Sequence, residues 1–212
     1  MNIEVTNNAK NVKVTVNKNA DGTFAILVVE DQKRKLGEVK PGSIVTLGKS
    51  GRRYIVLGHG AETTALVAEK FAKKMGYGKN GDYAASDVRK YCTGDFYKEL
   101  CGDVGAENIV KHTVNLIADD GTGKGKVVKD YVSIMTTDLY RRYRKFLPKY
   151  GDWWWTATRV SDDDSLGYSR FVCCVYSSGV LCWGGSGCTG GVRPFCVLDS
   201  SVLVLDVVEA NG

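Results

Sequence analysis

The sequence is poor in histidine and contains no long apolar run, and each shortage excludes a class of protein. Its two histidines, His59 and His112, and the absence of a C-x-x-C pair leave no set of ligands at the spacing of a zinc site. No run approaches the ~20 apolar residues that cross a membrane as a helix. The N-terminus also lacks the basic and apolar regions of a secretory signal. We therefore expect no metal, no cofactor and no membrane insertion, and we expect synthesis in the cytoplasm.

Charge and glycine spacing argue against nucleic acids and nucleotides as ligands. The net charge is only +5 at pH 7, and the basic residues are scattered. Their densest cluster, Arg141–Lys145, falls on a predicted helix, where a solvated face is the simpler interpretation. The segment Gly42–Ser50 ends like a phosphate-binding loop, but five residues separate its glycines where that loop needs four. We expect neither a nucleic-acid partner nor a nucleotide site.

The cysteine content indicates free thiols. Seven cysteines are an odd number, and a chain of 212 residues can bury a core large enough to fold without disulfides. The adjacent Cys173 and Cys174 would point to opposite faces of a strand, so they are not expected to pair with each other. The simplest interpretation is a set of unbridged thiols made in a reducing compartment.

Residues 1–40 are predicted to form a separate β segment. Val12, Val14 and Val16 alternate with polar residues, a turn follows, and Phe24–Val29 returns. Such a hairpin is too small to be stable alone, so it must pack on the main domain or on another copy of the chain, as in a homo-oligomer. The turn at Lys40–Gly42 marks the boundary. The main domain is expected to cover residues 41–207.

The first part of the main domain mixes short strands with short helices. Strands are predicted at Ile44–Leu47, Arg53–Leu57 and Thr63–Val67, and within residues 109–116 and 127–135. Ser86 is a candidate cap for a helix that Gly94 would end, with a second short helix after it. Thr137 or Asp138 would cap a third helix that runs to Lys145. The mixture predicts the α+β class.

The stretch Trp153–Leu198 has the most unusual composition in the chain. It opens with three consecutive tryptophans, holds five of the seven cysteines and is otherwise rich in Ser, Gly, Tyr and Phe. Mixtures of this kind occur in antibody recognition loops, where aromatic rings give contact area and Ser and Gly give adaptability. A glycine-rich ending of a β domain is the plainer interpretation of the same residues.

The order of these pieces resembles a known family. The motif Trp153–Thr158 (WWWTAT) follows a predicted strand and helix, and the motif Gly191–Pro194 (GVRP) comes near the end of the chain. At this separation the two motifs are similar to those of the C-type-lectin-like variable proteins of diversity-generating retroelements, which are frequent in gut bacteria and their phages. The resemblance covers about residues 41–205. It implies an α+β, C-type-lectin-like domain that carries the N-terminal hairpin as a small appendage.

In that family a reverse transcriptase rewrites adenines in a cassette at the 3′ end of the gene, so that asparagine codons become codons for Ser, Gly, Cys, Tyr, Phe and other residues. The resemblance implies a hypervariable region over about residues 165–190. Trp183 departs from the pattern, because adenine changes alone cannot turn an asparagine codon into a tryptophan codon. The ligand-binding residues implied by the resemblance are Tyr168, Ser169, Phe171, Cys173, Tyr176, Ser178, Cys182, Trp183, Gly184, Gly185, Gly187, Cys188 and Gly190.

The function implied is non-enzymatic recognition of a protein or a cell-surface ligand. Two alternatives stay open. One is a structural component of a phage virion, with the N-terminal hairpin as its assembly tag. The other is an oxidase related to the formylglycine-generating enzymes, whose fold is similar and whose chemistry uses cysteines. Calcium-dependent sugar binding needs carboxylate and amide ligands in one loop, and the only acidic run, Asp162–Asp164, lacks such partners and is interpreted as a solvated turn.

The resemblance also implies a scaffold for the variable region. Trp153, Trp154 and Arg193 are expected to be packing residues and not contact residues, and Arg193 would hold the end of the region by hydrogen bonds. The apolar residues between the variable positions would form an inward face that holds the backbone still. These residues are Val172, Val175, Val180, Leu181 and Val192.

Overall fold

The structure is a computed structural model that describes residues 12–19, 21–30, 33–149 and 151–208. This part of the chain is mixed α+β and consists mostly of sheet, which confirms the predicted class. The strands are organised in two larger sheets, of eight and five strands, and two pairs of strands. No helix within the described residues is long and apolar enough to cross a membrane.

The strands are numbered β1 to β17 in chain order. Their bounds are Val12–Lys18, Phe24–Glu30, Arg34–Lys35, Ile44–Leu47, Arg52–His59, Thr63–Ala68, Lys73–Gly76, Ile109–Val110, His112–Asn115, Val127–Asp130, Val132–Ile134, Trp154–Arg159, Phe171–Val175, Leu181–Gly185, Thr189–Val192, Pro194–Asp199 and Leu203–Val208. The helices α1, α2 and α3 have the bounds Asp87–Tyr91, Tyr97–Val104 and Thr137–Tyr143. A π turn, Cys92–Phe96, joins the first two helices.

The eight-stranded sheet has the order β11-β16-β6-β5-β4-β17-β3, with β8 paired to β16. Its central strand β5 is covered on both sides, since the four consecutive residues Tyr54–Leu57 are all buried. Successive side chains of a strand point to opposite faces. Accordingly, Tyr54 and Val56 pack into the larger apolar core, whereas Ile55 and Leu57 pack into a second core. The sheet therefore lies between two cores.

Helices α1 and α2 pack into the larger core. Ser86 caps α1, because its hydroxyl oxygen accepts a hydrogen bond from the Arg89 amide at 3.0 Å. The prediction that Gly94 ends this helix is wrong, since the π turn carries the chain past it into α2. A glycine inside a helix costs about 1 kcal/mol, and the burial of the neighbouring Phe96 offsets that cost. Helix α3 is capped by Thr136, whereas Thr137 or Asp138 was predicted.

The N-terminal hairpin has the predicted form, with β1 and β2 antiparallel and Val14 opposite Val28. The last residues of the predicted segment 1–40 are not part of the hairpin and pack on the main body. Strand β3 pairs with β17, and the side chains of Leu36 and Val39 are fully buried in the larger core. The main body therefore begins no later than Arg34, before the predicted boundary.

Candidate recognition surface

The five-stranded sheet carries the stretch of unusual composition. Its order is β14-β13-β12-β15-β7, so β12, which holds two of the three tryptophans, lies in the centre. Strands β13 and β14 form an antiparallel hairpin in which Phe171 lies opposite Gly185 and Val175 opposite Leu181. Within the described residues β14 pairs with β13 alone and forms the edge of the sheet. The hairpin is thus the outermost part of this sheet.

A tight turn at Tyr176–Val180 closes the hairpin. The Tyr176 amide donates to the Val180 carbonyl and the Gly179 amide donates to the Tyr176 carbonyl, both at 2.8 Å. Gly179 has a φ of +83°, a conformation that glycine adopts without steric cost. The Tyr140 hydroxyl of α3 donates to the Gly179 carbonyl at 2.7 Å. The turn is therefore held against the body of the molecule.

The three tryptophans are mainly packing residues. Trp154 and Trp155 are 2% and 0% exposed, and the Trp155 indole nitrogen donates to the Met75 carbonyl at 3.0 Å. Trp153 is half-buried, and its ring centroid lies 4.6 Å from that of Trp155 in a T-shaped contact. Trp154 packs edge-on against Tyr140 in the second core. Together the rings form a packed aromatic base next to the hairpin.

Arg193 fixes the end of the stretch Trp153–Leu198 from inside the molecule. Its side chain is fully buried. Its Nε atom donates to the Ala68 carbonyl at 3.1 Å, and its Nη2 atom donates to the Glu69 carbonyl at 3.2 Å. The guanidinium also lies 5.2 Å from the Trp154 ring, within the range of a cation–π contact. These contacts join the Gly-Val-Arg-Pro motif to the end of β6, in agreement with the expected scaffold role.

One face of the hairpin is turned to the interior. Val172 and Cys174 are buried in the larger core, and Gly184 lies opposite Val172 on the neighbouring strand. A β carbon on Gly184 would lie 3.7 Å from the Trp155 ring, an ordinary packing distance. The backbone of the hairpin is therefore supported by the tryptophans of β12.

The other face is half covered and half open. Val175 joins the second core, and Cys173 beside it is only 5% exposed. Burial raises the pKa of the Cys173 thiol to about 12. Towards the other end of the hairpin, Phe171 is half-buried and Trp183 is 59% exposed. The open half of this face is therefore aromatic.

Three rings in contact with one another form a group at the surface, which we call the aromatic cluster: the exposed Tyr168 and Trp183, and the half-buried Phe171 between them. The centroids of Phe171 and Trp183 are 4.9 Å apart with the rings almost perpendicular, and those of Tyr168 and Phe171 are 6.0 Å apart. Tyr168 is 43% exposed. The edge-to-face contact of Phe171 and Trp183 is a preferred arrangement of aromatic rings. The cluster thus presents apolar area to solvent.

The predicted ligand-binding residues differ in their exposure. Those exposed are Tyr168, Tyr176, Ser178, Trp183, Gly187 and Cys188. Those half-buried are Ser169, Phe171, Cys182, Gly184 and Gly185. Those buried are Cys173 and Gly190.

Three expectations about side-chain direction need correction. Cys173 is not part of an exposed patch, because it lies in the middle of β13, where the four residues from Val172 to Val175 are all buried. Gly190 is covered by Trp153, whose ring would lie 2.5 Å from a β carbon at this position. Val180, expected to point inward, is 60% exposed because it ends the turn of the hairpin.

Two exposed apolar residues near the hairpin were not assigned to the surface from the sequence. Leu166 lies in a single 3-10 turn, Asp164–Leu166, two residues before Tyr168. Val180 lies at the opposite end of the hairpin, next to Ser178 and Tyr176. Leu166 falls inside the predicted hypervariable range, so composition alone could have included it. The inward direction that the resemblance implied for Val180 is wrong, because this residue ends a turn, and a turn does not follow the strand period.

The acidic run has partners in the structure. Asp162 is bound by Lys126 and by Arg159, and Lys126 lowers the pKa of its carboxyl group. Asp163 accepts hydrogen bonds from the backbone and the hydroxyl of Ser165. Among the described residues, no group of three or more His, Cys, Asp or Glu side chains could hold a metal ion. The run is a turn that is fixed by ion pairs and local hydrogen bonds.

The histidines have structural hydrogen bonds. His59 contacts the Thr64 hydroxyl and the Val39 carbonyl, each at 2.9 Å. His112 lies 2.9 Å from the Ser133 hydroxyl, and burial lowers the pKa of its imidazole. A lowered pKa keeps this buried ring neutral, which suits a packing role.

Comparison of the chain with protein-family models, with curated proteins and with solved structures finds no match.

Proposed function

We propose that the protein is a non-enzymatic recognition protein of the C-type-lectin-like variable type, whose surface at the aromatic cluster binds a protein or a cell-surface ligand. The observation that carries this proposal is the aromatic cluster itself, exposed on an edge hairpin whose other face is buried. Soluble proteins keep most large aromatic rings inside, so a contiguous exposed group points to a binding surface. Aromatic side chains are also the residues that contribute most to binding energy in interfaces.

The surroundings of the cluster suit a surface that changes by mutation. Exposed positions contribute little to stability, so side chains there can be replaced with small effects on folding. Tyr168, Tyr176, Trp183, Gly187 and Cys188 all meet this condition. The residues that support them from below, such as Trp155 and Arg193, are fully buried. The proposed diversification by a retroelement would therefore act on one side of a fixed scaffold.

The two alternatives make different demands on the chain. An oxidase of the formylglycine-generating kind needs a reactive thiolate, and burial raises the pKa of Cys173 and of Cys196 to about 12, which keeps both thiols protonated near neutral pH. A virion component would need the N-terminal hairpin for assembly. Binding through the aromatic cluster needs neither, so the three functions are separable by mutation.

The direct test compares two double variants of the full chain. Tyr168→Ser with Trp183→Ser removes two rings of the aromatic cluster. Val127→Ser with Tyr131→Ser removes two exposed apolar side chains from β10 and the residue after it, away from the cluster in sequence. The probe is a panel of intact bacterial cells stained with fluorescently labelled protein.

We expect the first variant to lose at least about tenfold in affinity for any cell that the unmodified protein stains, since one aromatic hot spot is worth ~2 kcal/mol or more. The control variant should stain the same cells as the unmodified protein. Equal staining by both variants, with melting temperatures unchanged, would contradict the proposed surface.

Diversification is tested separately by sequencing the DNA on both sides of the gene. A copy of the cassette that differs at adenines, beside a reverse-transcriptase gene, is the expected result.

A further inference from the structure

Two cysteines face each other across the hairpin. Cys174 on β13 and Cys182 on β14 are directly opposite in the strand register, and their sulfur atoms are 2.9 Å apart. Bonded sulfurs lie about 2.0 Å apart, so the two atoms need to approach by only about 0.9 Å to form a bond. Cys174 is buried and Cys182 is half-buried, on the side of the hairpin that faces the tryptophans.

The backbone also suits a bond between these residues. The Tyr176 amide bonds to the Val180 carbonyl, and the Ser186 amide bonds to the Arg170 carbonyl. Hydrogen-bonded pairs alternate along an antiparallel ladder, which makes Cys174 and Cys182 such a pair, with α carbons about 5.5 Å apart. Disulfides join α carbons that are about 4.4–6.8 Å apart. The α-carbon spacing of such a pair is therefore compatible with a disulfide.

We propose that Cys174 and Cys182 are a redox modification site that closes to a reversible disulfide by exchange with a small disulfide such as oxidised glutathione. The half-buried Cys182 loses its proton and its thiolate attacks one sulfur of the small disulfide, releasing one small thiol and leaving a mixed disulfide. The Cys174 thiolate then attacks the Cys182 sulfur and displaces the second small thiol. The protein pair loses two electrons and two protons, and the small disulfide gains them as two thiols.

The neighbouring cysteines are less suited to this step. Cys173 is next to Cys174 but points to the opposite face of β13. Cys188 is exposed and follows β14, so it is the competitor that the experiment must exclude.

Burial and the adjacent Cys182 raise the pKa of the Cys174 thiol. The second, bond-closing step is therefore expected to speed up as the pH rises.

The bond would act on the edge of the sheet. Within the described residues strand β14 forms strand pairing with β13 alone, and it carries Trp183 next to Cys182. A covalent link between the strands prevents β14 from separating without the bond being broken. We therefore expect local opening of the hairpin to be suppressed in the oxidised protein. This inference does not depend on the proposed function, because bond formation and hairpin opening are both measured without a ligand.

The experiment uses the full native chain in glutathione buffers of increasing oxidised fraction. Free thiols are blocked, the chain is cut after Arg170, and the C-terminal peptide is cut again after Tyr176, Trp183 and Phe195. These cuts place Cys174, Cys182 and Cys188 on separate peptides. The expected product joins the peptide of Cys174 to that of Cys182, lacks two hydrogens and separates on reduction. The fully buried Cys92 and Cys196 should remain free and serve as internal controls.

Variants assign the bond. Cys188→Ser and Cys173→Ser should leave the product unchanged, whereas Cys174→Ser should stop at a mixed disulfide on Cys182. Deuterium uptake of residues 176–186 should fall several-fold on oxidation of the unmodified chain. The absence of the joined peptide at every buffer composition would overturn the proposal, as would a product that joins Cys188 instead. Unchanged deuterium uptake in a chain shown to be bridged would overturn the tethering of β14.

Discussion

At the scale of single residues, two tryptophans of one sheet have opposite surroundings and separate the scaffold from the surface. Trp154 is almost fully buried between Tyr140 and Arg193, whereas Trp183 is 59% exposed. Truncation of a buried tryptophan to alanine costs about 3–5 kcal/mol. The exposed Trp183 should cost less, since its contact with Phe171 is worth about 0.5–1.5 kcal/mol. We therefore expect Trp154→Ala to lower the melting temperature sharply or to yield insoluble protein, and Trp183→Ala to leave it within a few degrees.

Thermal unfolding followed by circular dichroism distinguishes the two variants, and each serves as the control for the other. A soluble Trp154→Ala protein with an unchanged melting temperature would contradict the scaffold role. A large loss of stability in Trp183→Ala would mean that the aromatic cluster is part of the core.

Arg193 and Cys173 show why some side-chain environments were not predictable from local sequence. Arginine is almost never fully buried unless it is paired, and the partners of Arg193 are carbonyls that precede it by 125 and 124 residues. Only the resemblance of the Gly-Val-Arg-Pro motif indicated a holding role. Cys173 lies among residues of recognition-loop composition, yet it is buried because both faces of β13 are covered at this point. Composition describes residue types and does not determine which face is covered.

At the scale of elements, short apolar strands and a helix cap were predicted well, whereas the effect of a glycine within a helical segment was not. Strands β4, β5 and β6 lie close to their predicted bounds, because the alternation in β4 and the short apolar runs in β5 and β6 both indicate strands. Ser86 was found as a cap because its side chain satisfies a backbone amide within the same turn. Gly94 was misjudged, since its local cost of about 1 kcal/mol is smaller than the gain from burying the residues around it. Local propensity is reliable only where packing does not oppose it.

Gly187 and Gly190 test whether the exposed and the covered positions of the stretch Trp153–Leu198 differ as the structure shows. At Gly187 a β carbon would meet nothing within 4 Å, whereas at Gly190 it would lie 2.5 Å from the Trp153 ring and 2.8 Å from the Trp155 nitrogen. We expect Gly187→Ser to change the free energy of unfolding by less than about 0.5 kcal/mol. Gly190→Ser should cost about 1–3 kcal/mol, because the rings must shift to admit the new atoms.

Urea denaturation of both variants measures the difference. Equal stability of the two would show that Trp153 moves aside freely, and the aromatic base would then be less rigid than proposed. If Gly187→Ser alone strongly lowered the free energy of unfolding, Gly187 would be the covered position and Gly190 the exposed one, which would contradict the structure.

At the scale of the whole molecule, the arrangement of strands depends on pairings between distant segments. Strand β16 pairs with β6, β8 and β11, and β17 pairs with β3 and β4. Such pairings have no local signature, so the sequence predicted the α+β class but not the order of the strands. The division into residues 1–40 and 41–207 depended on the turn at Lys40–Gly42, whereas the buried Leu36 and Val39 precede that turn.

Two truncations test where the main body begins. Deletion of residues 1–32 removes β1 and β2 but keeps β3 and its pairing with β17. Deletion of residues 1–40 also removes Leu36 and Val39, which are fully buried in the larger core. Burying one such side chain contributes about 1.5–3 kcal/mol. The longer deletion therefore removes several kcal/mol, which is a large part of the 5–15 kcal/mol that typically stabilises a domain.

We expect the shorter deletion to keep a cooperative unfolding transition within a few degrees of that of the full chain, and the longer deletion to lose it. Size-exclusion chromatography with light scattering on the shorter form tests the predicted role of the hairpin in self-association. If the full chain is an oligomer held by this segment, the shorter form should be a monomer with an unchanged transition. A shorter form that fails to fold would mean that β1 and β2 belong to the cooperative unit. A longer deletion that still unfolds cooperatively would mean that the contacts of Leu36 and Val39 contribute little to the stability of the main body.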